Sequence, residues 1–99
     1  MKWVRLDIND PVFLTGWFAL PASESLRVFD MLRKIGQLSW EQLYADRGLR
    51  WEAVKSRLGP HRNRIYSLRV TKTMRAVGYR DGDTLRFLSL HPDHDSAYQ

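Results

Sequence analysis

Residues 65–90 read IYSLRVTKTMRAVGYRDGDTLRFLSL, and their periodicity decides the fold class. In residues 65–71, Tyr66, Leu68 and Val70 alternate with Ser67 and Arg69, the period-2 pattern of a strand with one face in a core. Residues 74–80 repeat the pattern, Asp81-Gly82-Asp83 supplies a tight turn, and residues 84–90 (TLRFLSL) form the return strand of a hairpin. Alternation puts Arg75 on the face of Val77 and Tyr79, and Lys72 falls in the preceding turn.

Upstream the period changes. Residues 2–8 alternate Trp3, Arg5 and Asp7 against Val4, Leu6 and Ile8, which predicts a first strand. Asp10 is an N-cap with Pro11 at the first helical position, opening a short helix over residues 12–20. Ser23 caps a second helix in which Leu26, Phe29, Met31 or Leu32, and Ile35 recur at helical spacing, with Gly36 as its stop. Ser39 with Gln42 reads as a capping box for a third helix over residues 40–46, closed by Gly48. The order β-α-α(-α)-β-β-β predicts an α+β domain, a small and mostly antiparallel sheet with the N-terminal helices packed on one side.

The 99 residues make a single domain, 1–99, whose 43% apolar content and twelve aromatics suffice for one core. With no cysteine, disulfides, thiol catalysis and cysteine-rich zinc sites are excluded. The longest apolar run, residues 12–20, is too short to cross a bilayer, so the expectation is a soluble cytoplasmic domain without membrane association.

Charge is distributed unevenly. Ten of the sixteen basic residues lie in residues 47–80 beside one acid, Glu52, so this third carries +9 and the remainder −4. A one-sided positive field attracts polyanions. Eight of the ten are arginines, whose planar fork suits bidentate phosphate contact. Lys55, Arg57, Arg62, Arg64, Arg69 and Lys72 are the candidate RNA- or ribosome-binding residues. Trp51, Tyr66 and Tyr79 lie among them, as platforms for bases or as core. Arg75, held on a strand, is a candidate charge stabiliser; its bland alternative is an ion pair with Asp81 or Asp83.

The segment His91-Pro-Asp-His94-Asp-Ser-Ala-Tyr98 brings groups that move protons. His91 reads as a strand-end residue bonded to backbone. If one helical turn follows Pro92, His94 and Tyr98 share a face and suit acid–base work; otherwise Tyr98 plugs the core edge. Two histidines three apart, flanked by Asp93 and Asp95 but with no third imidazole, do not read as a metal site, and no cofactor is expected.

From Ile65 onward the chain resembles the RelE/ParE superfamily of bacterial type II toxins. The resemblance is carried in order by Arg75-Ala-Val-Gly-Tyr79, Asp81-Gly82, the strand over residues 85–90, His94 and Tyr98. It implies a microbial-RNase-like fold, metal-independent cleavage of mRNA in the ribosomal A site, and a cognate antitoxin that wraps the toxin. Position by position, Arg75 corresponds to a phosphate-stabilising arginine and Tyr98 to a C-terminal catalytic tyrosine. His94 falls where some members place a basic or histidine catalyst, and Lys55 and Arg57 where some carry lysines. No glutamate is evident as general base, which leaves the acceptor of the first proton open. The superfamily also contains gyrase inhibitors, and the basic run alone suits a non-enzymatic nucleic-acid-binding module; both alternatives stay open.

Overall fold

In the computed structural model, which describes residues 2–92, the chain runs β1 (Arg5–Asp7), α1 (Pro11–Phe18), α2 (Ala22–Ile35), α3 (Trp40–Ala45), β2 (Glu52–Ala53), β3 (Tyr66–Arg69), β4 (Arg75–Asp81) and β5 (Thr84–His91), with a 3-10 turn at Pro60–Arg62. The strands form one sheet in the order β1-β5-β4-β3-β2. From β2 to β5 each strand pairs antiparallel with the next, but β1 lies parallel to β5, with Arg5 opposite Thr84 and Asp7 opposite Arg86. The mostly antiparallel sheet expected is present as a mixed one, with three antiparallel pairings and one parallel among the described residues. The helical stretch carries the chain from β1 at one edge of the sheet to β2 at the other, and the strands then return one by one until β5 lies beside β1 and runs in the same direction.

Local signals explain most helix ends. The Asp10 carboxylate accepts from the Val12 N–H at 2.8 Å, with Pro11 in the first turn. Both halves of the Ser39–Gln42 capping box are made, at 2.9 and 3.2 Å. The second helix departs from expectation. It starts at Ala22 behind Pro21, and Ser23 lies inside its first turn rather than capping it. It buries Val28, Met31, Leu32 and Ile35, while Leu26 and Phe29 stand 62% and 49% exposed. Two overlapping apolar stripes satisfy helical spacing; packing on the sheet selects the one that is buried.

The two sheet faces are covered differently. On one, Phe13 of α1, the buried stripe of α2, and Trp40 and Leu43 of α3 pack with Leu68, Ala76, Leu85 and Phe87. The Phe13 and Phe87 rings lie 5.1 Å apart between centroids. On the other face a small cluster of Val54, Ile65, Val77, Tyr79 and Leu88 contains no α-helical residue. Among the described residues, that face is roofed by the loop over residues 54–65, which is tied at its base by Val54 N–H to the Ile65 carbonyl at 2.9 Å.

The β4–β5 hairpin carries an irregularity that matters for function. From Asp81↔Thr84 to Gly78↔Phe87 the ladder is regular, but Val77 pairs with Ser89, so Leu88 is an extra residue on β5. An unbroken ladder would set Leu90 opposite Arg75; the bulge sets His91 there instead. Gly78 makes the close approach possible, because a Cβ at this position would lie 2.6 Å from the Arg86 carbonyl oxygen. Gly78→Ala should therefore destabilise the fold by about 1–3 kcal/mol in chemical denaturation. Gly82→Ala, where φ is +61° but nothing lies within 4 Å, should cost only about 1 kcal/mol.

Candidate nucleic-acid interface

Register brings three residues into one row across the face opposite the helices. Arg69 of β3 pairs with Arg75 of β4, and Arg75 pairs with His91 of β5. The adjacent row runs Glu52, Ser67, Val77 and Ser89. Strands lie about 4.8 Å apart, so the side chains of each row are close neighbours on one face.

Arg75 is 6% exposed, and its Nη1 donates to the Thr71 carbonyl at 3.0 Å and the Met74 carbonyl at 3.3 Å. Both acceptors are neutral, so these bonds fix the guanidinium at the β3–β4 turn without cancelling its charge. The alternative of an ion pair with Asp81 or Asp83 is not what forms. Asp81 pairs with Arg86 at 2.9 Å, Asp83 with Lys2 at 3.5 Å, and Arg86 also bonds Asp7.

His91 is half-buried, and its Nε2 shares a hydrogen bond of 2.8 Å with the Ser89 hydroxyl. Burial first, and the Arg57 charge second, hold its imidazole below the ordinary histidine value. At neutral pH it is therefore an uncharged imidazole able to accept a proton, oriented by Ser89 and set beside a fixed cation.

The remaining candidates divide. Arg57 lies close enough to act on His91 electrostatically, and Arg69 belongs to the row. Lys55, Arg62 and Arg64 are exposed on the loop that roofs this face, where His61 and Arg62 both take left-handed backbone angles, φ 55° and 62°. Lys72, exposed in the β3–β4 turn, instead joins Arg27, Lys34 and Arg69 around a groove of about 580 Å³ against α2. Tyr79 belongs to the small apolar cluster, and Trp51 and Tyr66 stack on each other with centroids 4.4 Å apart. His94 and Tyr98 lie outside the described residues. Among the described residues no cluster of three or more histidines and carboxylates is arranged to hold a metal ion, and no helix is long and apolar enough to cross a membrane.

Sequence reasoning passed over His91 as a site residue. The signal that finds it is the hairpin register read together with Gly78, a glycine in mid-strand that marks a bulge.

The depressed imidazole value has a consequence for stability. Well above about pH 6.5 the imidazole is neutral in both folded and unfolded chains and contributes nothing pH-dependent. As pH falls below that value, the unfolded chain takes up a proton that the folded chain resists, and stability declines. Denaturation midpoints between about pH 7 and pH 5 should show this fall in the wild-type chain and a flatter profile in His91→Gln.

No family model matches the chain, and no curated protein or solved structure is significantly similar to it; the chemistry open to this face follows from its own side chains.

Proposed function

We propose that the protein is a metal-independent endoribonuclease that cleaves mRNA at the ribosome, the toxin of a type II toxin–antitoxin pair built on the RelE/ParE plan. The observation that carries the ribonuclease reading is the row Arg69, Arg75, His91, two arginines and a neutral imidazole on a sheet face that, among the described residues, no helix covers. The +9 charge of residues 47–80 supports a polyanionic substrate. The ribosome and the antitoxin enter through the resemblance of residues 65–98 alone.

RNA supplies its own nucleophile. In the proposed reaction the His91 imidazole takes the proton from the 2′-hydroxyl. The freed oxygen attacks phosphorus in line, the bond to the 5′-oxygen breaks, and a proton is delivered to that leaving oxygen. Arg75, with Arg69 beside it, offsets the negative charge that builds on the phosphoryl oxygens. A buried, preoriented guanidinium suits this task, since it does not reorganise as charge develops. His94 and Tyr98 are the candidates for the acid at the leaving oxygen. Assigning the base to His91 fills the place for which no glutamate was evident.

The test is primer extension on a reporter mRNA after brief induction of the wild-type chain, His91→Asn, Arg75→Lys and Tyr98→Phe. Codon-phased cuts within translated regions are expected from the wild type. His91→Asn should slow cutting by roughly a hundred- to ten-thousand-fold, the usual weight of one acid–base group. Arg75→Lys keeps the charge but not the paired carbonyl bonds, and should lose cutting while circular dichroism shows a folded chain. Intact mRNA with the wild type, or undiminished cutting by His91→Asn, removes the assignment.

A further inference from the structure

Beside the row, at the β2 edge of the sheet, lies a second feature of different composition. The end of α3 and the chain over residues 46–52 enclose a groove of about 410 Å³, lined by Tyr44, Arg47, Arg50, Trp51, Glu52 and Arg69. A space of this size lies in the range of small-molecule sites. Three arginines and two aromatic rings meet there. The acids nearby are already engaged: Asp46 accepts from Lys34 and from the Leu49 N–H, both at 3.0 Å, and Glu52 lies 3.4 Å from Arg50.

The aromatic wall is rigid. Tyr44, Trp40, Trp51 and Tyr66 form a chain of ring contacts with centroids 4.4 to 5.8 Å apart. Arg80 braces it from behind. Its guanidinium carbon sits 4.5 Å over the Trp40 ring, and its Nη1 donates to the Tyr44 hydroxyl at 2.9 Å. Tyr44 nevertheless remains exposed. A large ring held in one orientation yet left open to solvent is a ready surface for a flat, apolar ligand face.

We infer that this groove is a nucleobase subsite: a base of single-stranded RNA stacks on Tyr44 at the Trp51 wall while the adjoining phosphates contact Arg47, Arg50 and Arg69. Arg69 joins the two regions, since it lines the groove and pairs with Arg75 in the row. The base that docks here therefore flanks the scissile linkage rather than belonging to it. Stacking is tolerant of base identity, so the subsite adds affinity and positions the strand without selecting a sequence. The inference rests on the RNA reading of the row and extends it.

Fluorescence anisotropy with a labelled oligoadenylate and an abasic ribose-phosphate oligomer of equal length tests it. Wild-type protein should bind the base-bearing strand more tightly by on the order of tenfold. Tyr44→Leu, which keeps apolar volume but removes the ring, should lose that preference, while Tyr44→Phe keeps it and the abasic oligomer binds all three alike. Tyr44→Leu binding oligoadenylate as tightly as wild type overturns the subsite and leaves the RNA reading standing. So does equal binding of both oligomers by the wild type. Failure of the wild type to bind either strand removes both.

Discussion

The pairing of β4 with β5 is the constraint on which the rest depends. These strands form the centre of the sheet, each flanked by a further strand and each contributing to both apolar clusters. Their register decides which residues face the helices and which face the open side. A one-residue slip in a strand pair exchanges the faces. Here the extra Leu88 makes such a slip within β5, so Leu85 and Phe87 lie in the helix-side core before the bulge and Leu90 joins that same core after it. Gly78 tolerates the backbone contact that results. Core and candidate site are thus set by the same local distortion.

A division of labour between the two faces follows. The helix side holds the large apolar residues, and burying a side chain such as Phe13 or Phe87 contributes about 1.5–3 kcal/mol. The opposite face, roofed among the described residues by a loop instead of helices, carries the polar Ser67, Arg75, Ser89 and His91. Part of the basic run lies on this side, Lys55, Arg57, Arg62 and Arg64 on the roofing loop and Arg75 on β4, while Arg80 packs on Trp40 and Lys72 lies against α2. On the proposed reading, the helix side supplies stability and the other side recognition.

Much of this was legible in the sequence, and what was missed shares a cause. The Asp81-Gly82-Asp83 turn, the Ser39–Gln42 capping box, the Asp10-Pro11 start and the common face of Arg75, Val77 and Tyr79 are local signals, and all appear in the fold. The parallel seating of β1, the short β2 at Glu52–Ala53 and the exposure of Leu26 and Phe29 depend on what lies across space. No window of neighbouring residues contains that information. The site divides the same way. Arg75 was visible as an arginine on a strand, but its neighbour His91 depended on a bulge, and the openness of Tyr44 on packing among rings distant in sequence.

The seating of β1 bears on how the chain is made. β1 is synthesised first, yet its partners Thr84, Leu85 and Arg86 emerge only after nearly eighty further residues. Throughout that interval the strand's hydrogen-bonding edge lacks its partner, while the β3–β4 pair depends on contacts much closer in sequence. Closure of the sheet at this edge therefore has to wait for β5 to be synthesised. Since His91 ends the very strand that β1 waits for, the arginine–histidine row and the completed sheet arrive together, and a nascent chain carries neither until β5 is out.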